Sequence, residues 1–297
     1  MNEPIAYDEF SLFHENASEY GLTYDTPPAV RRAAVALGDG REMSALVWGD
    51  GDPELVFLHG GAQNAHTWDT VALALRPTPI VAVDLPGHGY SSWRSDGRYD
   101  PRSLADDVAV AVQALAPRAR AVVGMSLGGL TAIELAVRHP SLVARLFVVD
   151  VTPGTDRVKA KAIIDFVNGP QSFASFDELF ARTVEHNPTR TASSLRRGIL
   201  HNARRLDDGS WVWRYDRSTA RPAEADHTDY WDDVSALAVP LLLARGALSP
   251  VVDDNDVAEL MARQPSAQVT VVEGAGHSIQ GDRPLELAAL IRRFAAG

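Results

Sequence analysis

The chain contains no cysteine. That absence excludes disulfides, thiolate metal sites and cysteine nucleophiles, and it fits a reducing compartment. There is no run of the roughly 18 consecutive apolar residues that a membrane helix needs. The opening segment, MNEPIAYDEF, offers acids and a proline where a secretory signal carries a basic patch and an apolar stretch. Positive charge is also in short supply: 28 Lys and Arg stand against 39 Asp and Glu, a net of −11. An acidic surface repels phosphate backbones, so nucleic acid is not an expected partner. These absences together predict a cytoplasmic protein with neither a membrane nor a nucleic-acid partner; the expected assembly is a monomer or homodimer, which nothing in the sequence fixes. The length of 297 residues suits one large α/β domain, or a core domain with an inserted subdomain.

What is present is a repeated alternation. Residues 1–28 are polar and close on Pro27-Pro28, which suggests an N-terminal arm. AVRRAAVAL (29–37) and EMSALVWG (42–49) flank Gly38-Asp39-Gly40, the pattern of a β-hairpin. Continuous apolar strands are then expected at 54–60, 79–87, 119–126, 143–153, 239–246 and 267–274. Helical spacing falls at 67–75, 103–116, 127–139, 253–264 and 284–296, with Ser103 expected to cap the second of these. Strands that are apolar throughout and separated by helices imply a mostly parallel sheet covered on both faces. The rhythm breaks after Pro153. Residues 154–236 show helix-like pieces, among them 157–168 and 176–184, and no evident strand. The expected organisation is a core of residues 1–152 and 237–297 with a helical cap at 153–236.

One stretch carries the chemistry. In Gly124-Met125-Ser126-Leu127-Gly128 a serine stands between a predicted strand and a predicted helix, flanked by glycines. That is the context of a nucleophile elbow, in which a tight turn aims the hydroxyl above the sheet. The same turn sets the Leu127 N–H at a helix N-terminus, where a developing oxyanion is favoured. A serine nucleophile needs a base. Of nine histidines, His277 in GAGHS sits on a glycine-flanked loop after the last predicted strand, at the carboxyl edge of the sheet. His139 is expected to close a helix, and His186 and His201 belong to the insertion.

Taken with His59-Gly60-Gly61-Ala62, Asp84-Leu85-Pro86-Gly87-His88-Gly89 and Gly276-His277, the elbow makes the chain resemble the α/β-hydrolase superfamily over about residues 30–152 and 237–297. The resemblance implies an eight-stranded, mostly parallel sheet with helices on both faces and a cap. It also implies that the Gly61 N–H joins that of Leu127 in an oxyanion hole, and that the Asp84 segment is a supporting turn. The family most often places its acid after strand seven, where this sequence has Ser249 in Arg245-Gly246-Ala247-Leu248-Ser249-Pro250. Asp253 and Asp254 follow, in positions that suit a helix start. Another branch places the acid after strand six, which points to Asp150 in FVVDVTP. A charge ending a buried strand must have a partner, and a histidine is a suitable one. Ser249 is then expected to hydrogen-bond the acid or the histidine.

The resulting expectation is a serine carboxylesterase-like hydrolase with Ser126, His277 and Asp150 as triad, no metal and no cofactor, acting on small or medium-sized ester molecules. Lactones, C–C bonds of ring-cleavage products and a non-enzymatic ligand receptor on the same fold are the alternatives. Serine at the elbow disfavours the branches with an aspartate nucleophile, and Gly61 lacks the aromatic side chain of the cofactor-free haloperoxidases. Substrate contacts are expected from His66 and Trp68 after the oxyanion loop, and from Trp211 and Trp213 in the insertion. The insertion's ten Arg and two Lys face thirteen Asp and Glu, so its arginines read as part of a surface charge mosaic.

Overall fold

The computed structural model describes residues 7–217 and 230–297. The first six residues of the arm and positions 218–229 of the insertion lie outside them.

The arm is less irregular than its composition suggests, since it carries helix α1 (Phe13–Glu19), anchored by buried Phe13 and Ala17. The hairpin β1 (Val30–Ala36) and β2 (Glu42–Trp48) follows, then β3 (Leu55–Leu58), α2 (Asp69–Leu75), β4 (Ile80–Val83) and α3 (Pro101–Leu115). Next come β5 (Ala121–Met125), α4 (Leu127–Arg138) and β6 (Leu146–Val149). The insertion contributes α5 (Lys161–Val167), β7 (Ser172–Phe173), α6 (Phe176–Glu185), α7 (Ala192–Asn202), β8 (Ala203–Arg205), β9 (Trp211–Trp213) and α8 (Tyr230–Ala236). The chain ends with β10 (Leu241–Gly246), α9 (Asp254–Arg263), β11 (Gln268–Val272), α10 (Ile279–Asp282) and α11 (Pro284–Ala296).

Eight strands form one sheet in the order β1-β2-β4-β3-β5-β6-β10-β11. The pairs β1·β2 and β2·β4 are antiparallel and the remaining pairs parallel. Apolar strands with a two-residue side-chain period must feed two cores. Val56, Leu58, Val122, Val148 and Leu243 pack with α3 and α4 on one face. Leu55, Phe57, Val123, Phe147 and Leu242 pack with α2 and α11 on the other. Each such side chain, fully buried, stabilises the fold by about 1.5–3 kcal/mol relative to exposure. The strand order reverses at β3, which has β4 on one side and β5 on the other. Open α/β sheets hold ligands in the crevice beyond the strand ends at such a switch point.

Two expectations are corrected. α3 begins a turn early: Asp100 is its cap, accepting from the Ser103 N–H at 3.0 Å, with Pro101 in the first turn where a missing N–H costs nothing. The insertion is not purely helical, for β7, β9 and β8 make a three-stranded antiparallel sheet. Strands of two or three residues leave no readable period. The one available signal was Asp208-Gly209, a hairpin dipeptide, with Gly209 at φ 89° and the Leu206 N–H donating to the Ser210 carbonyl.

Candidate active site

Between β5 and α4, Ser126 sits at φ 51° and ψ −121°. A non-glycine residue in such a conformation costs of order 1–3 kcal/mol and persists only where its surroundings enforce it. Here they do. The Ser126 N–H donates to the Val149 carbonyl at 3.1 Å, extending the β5·β6 ladder by one residue, and the Ser126 carbonyl accepts from the Gly129 and Leu130 N–H groups. The flanking glycines are a packing requirement: a Cβ on Gly124 would stand 2.2 Å from the Gly128 carbonyl oxygen, and one on Gly128 2.4 Å from that of Leu58. Leu127 opens α4, where N–H groups lack intrahelical acceptors and the helix dipole favours negative charge.

Asp150, the residue immediately after β6, is fully buried at φ 49°. Its Oδ1 accepts from the Gly246 N–H at 2.8 Å. Its Oδ2 accepts from His277 Nδ1 at 2.8 Å and from the Ser249 hydroxyl at 2.5 Å. Three donors satisfy this buried carboxylate and fix its orientation. With Nδ1–H donated to Asp150, His277 keeps Nε2 free to take a proton. The competing acids are engaged elsewhere. Asp253 caps α9 in a reciprocal box with Asp256 and meets Lys159, while the exposed Asp254 pairs with Arg245 at 2.6 Å. His139 follows α4 and meets Asp106.

The loop after β3 is braced by two buried histidines whose part sequence reasoning missed. His59 Nε2 accepts from the Leu85 N–H at 2.9 Å, and His88 Nε2 accepts from the Ala62 N–H at 3.0 Å. Each turns Nδ1 to a backbone carbonyl, of Gly60 and Pro86 respectively. Burial keeps both rings neutral, pulling His59 down to about 4 and His88 to about 3. Asp84 supports the same loop, accepting from the Ala65 and Tyr90 N–H groups and pairing with Arg32. The signal lay in the sequence, since both histidines stand within the glycine-containing motifs. Gly61 is left with open space where its side chain would be and faces the cavity.

That cavity, of about 350 Å³, runs between the sheet's carboxyl edge and the insertion. Gly61, Ser126 and His277 line it from the core, and Phe166, Arg190 and Trp213 from the insertion. Of the expected substrate contacts, Trp213 and His66 belong to its wall. Two do not. Trp68 is fully buried against Phe57, with ring centroids 4.9 Å apart. Trp211 is buried in the insertion's own core against Phe176, at 5.2 Å. For both, a large apolar ring gained more from complete burial than from a half-wet wall.

His66 is less a free contact than the centre of an ion cluster. Its Nδ1 meets Asp69 at 2.9 Å and its Nε2 meets Glu9 at 3.1 Å. Its ring stacks on His201 at 3.8 Å and 9°, and His201 Nδ1 accepts from the Tyr7 hydroxyl. The donor atoms of His66, Asp69 and His201 lie within 4.8 Å of one another, close enough to suggest a metal. Stacked imidazoles, however, direct their in-plane lone pairs side by side, and both His66 nitrogens are already committed. The arrangement suits a buried imidazolium between two carboxylates. Burial alone would lower the His66 pKa, but Asp69 and then Glu9 outweigh it and raise it to about 9. A raised histidine stabilises fully below its unfolded value of 6.5, and the contribution fades as pH rises through 9. His66→Gln is therefore expected to lower the unfolding free energy by about 3 kcal/mol at pH 6, and by much less at pH 10. Urea melts of both proteins across that range check this; a gap independent of pH contradicts it.

Residues 55–290 match the model of the Alpha/beta hydrolase family. The esterase Rv0045c of Mycobacterium tuberculosis is 45% identical to this chain, over 98% of this chain and 97% of that protein. A crystal structure of that esterase matches with a TM-score of 0.87, covering 99% of this chain and 100% of the other. The 2-(acetamidomethylene)succinate hydrolase of Mesorhizobium japonicum is 27% identical over 78% of this chain and 84% of its own length.

Proposed function

Because the chain belongs to the alpha/beta hydrolase family, we propose that it is a serine hydrolase of carboxylic esters that works through an acyl-enzyme. The observation that carries this reading is the buried Asp150 carboxylate bonded to His277 Nδ1 at 2.8 Å, on the cavity that Ser126 enters from its elbow. The likeness to an esterase over nearly the whole length of both chains favours an ester over a C–C bond.

The chemistry follows from the positions. His277 Nε2 accepts the Ser126 proton as Oγ attacks the ester carbonyl carbon. The carbonyl π pair moves onto oxygen, and the N–H groups of Gly61 and Leu127 receive that oxyanion. Collapse expels the alcohol, which takes the proton from His277. Water then repeats the sequence on the acyl-enzyme and releases the acid. Asp150 remains ionised throughout; it fixes the histidine tautomer and stabilises the imidazolium. Ser249 and the Gly246 N–H hold Asp150 in place. The described part of the insertion, residues 153–217 and 230–236, roofs the site and selects the substrate, since specificity on this fold resides in such segments.

A p-nitrophenyl ester series from acetate to decanoate tests the activity. The cavity of about 350 Å³ is near the lower end of the 300–1,000 Å³ usual for small-molecule sites. The expected result is turnover with an optimum at short or medium acyl chains. A protein inert to the whole series would remove the ester reading.

A further inference from the structure

The wall of the cavity has an unusual charge for so acidic a protein. Among the described residues its one carboxylate is Asp69, which His66 satisfies. Against it stand three long-chain cations: Lys159, Arg190 and Arg197. Two of these are neutralised. Lys159 meets Asp253 and Asp256 at 3.1 and 2.8 Å. Arg197 pairs with Glu19 and approaches Glu15 at 3.8 Å.

Arg190 differs. No carboxylate oxygen lies within 4 Å of its guanidinium among the described residues. Its one side-chain hydrogen bond there runs from Nη2 to the Ser194 hydroxyl at 2.5 Å, and its buried Nε has no partner. Burial pulls its pKa below the usual arginine value; the charge of Asp282 opposes that from a distance. The guanidinium lies over Gly281, where a Cβ would come within 2.7 Å of it. Gly281 is four residues beyond His277, so this cation sits on the side of the cavity that the catalytic histidine's loop forms. Nε is covered by Gly281, but the guanidinium forms part of the cavity wall with no ion pair among the described residues, so an anion in the cavity would gain a charge-assisted contact with it.

We propose that Arg190 is a specificity residue that binds a carboxylate on the substrate, so that the preferred ester is one whose acyl part ends in a free carboxylate, such as a monoester of a dicarboxylic acid. This rests on the ester-hydrolase reading above. A cation without a directly paired carboxylate among the described residues matches a monoanion, and the planar guanidinium matches a carboxylate. The reaction is unchanged: the ester carbonyl sits at Ser126 while the distal carboxylate meets Arg190.

The test compares mono-p-nitrophenyl adipate with p-nitrophenyl hexanoate, which have equal acyl lengths and differ by one charge. In Arg190→Gln the ratio of kcat/KM for adipate over hexanoate should fall at least about 10-fold, carried by KM, and Arg190→Lys should restore part of it. A purely structural role would lower both esters together and leave the ratio unmoved, which would overturn the proposal. Calorimetric titration of the wild-type protein with free adipate needs no variant and no turnover. Binding that weakens with added salt is expected; 1,6-hexanediol should not bind. Failure of adipate to bind would overturn the proposal even if Arg190→Gln did not fold. Tighter binding of inorganic phosphate than of adipate would also overturn it. If neither ester is hydrolysed while adipate still binds through Arg190, the ester-hydrolase reading fails and the anion site stands.

Discussion

Replacing Ser126 with alanine is expected to lower kcat for p-nitrophenyl esters by on the order of 10⁴-fold or more while leaving the fold intact. The two halves of that statement have separate causes. Activity is lost because no other group in the elbow can attack the carbonyl carbon. The fold survives because alanine keeps the Cβ already accommodated at φ 51°, and the bonds that fix the turn belong to the backbone of Ser126, not its hydroxyl. A small residual rate is expected from the N–H groups of Gly61 and Leu127, which do not depend on the nucleophile. Steady-state kinetics and a thermal melt on the same preparation check both halves.

Asp150→Asn should be nearly as severe, with kcat reduced on the order of 10⁴-fold. The Gly246 N–H requires an acceptor at the position of Oδ1. The asparagine carbonyl therefore takes that place and its NH₂ turns to His277 and Ser249. An amide donor facing Nδ1 forces the proton onto Nε2, where it blocks the base that Ser126 needs. The tautomer is wrong although every atom is nearly in place. Asp253→Asn gives the contrast. Its carboxylate caps α9 and meets Lys159, so the change should cost at most about 1 kcal/mol of stability and leave kcat within about twofold. Similar kinetic losses in both variants would remove Asp150 from its assigned part.

The sheet and the positions of Ser126, His277 and Asp150 were readable because each is tied to a local rule. Unbroken apolar strands between helices require a doubly covered sheet. Glycines at 124 and 128 announce a turn too tight for a side chain. A lone acid closing an apolar strand demands a donor. What was unreadable depends on partners distant in sequence. Nothing near Trp68 says whether its ring faces the cavity or Phe57. The His66 cluster needs Glu9 and Tyr7 from the arm and His201 from α7, and no short-range pattern joins them. Arg190 looked like one more charge in a mosaic of arginines; its distinction is that among the described residues no carboxylate oxygen comes within 4 Å of its guanidinium, a property only of the folded chain. The strands β7, β8 and β9 are too short for alternation to register, leaving Asp208-Gly209 as the single local mark.

The most direct measurement is covalent trapping. Incubation with a p-nitrophenyl alkylphosphonate should release about one p-nitrophenolate per chain and add one phosphonyl group, mapped by peptide mass spectrometry to Ser126. His277→Ala should label far more slowly, and Ser126→Ala not at all. Stoichiometric labelling of Ser126→Ala, or an adduct mapped to another residue of the wild-type chain, would contradict the assignment of Ser126 as the nucleophile.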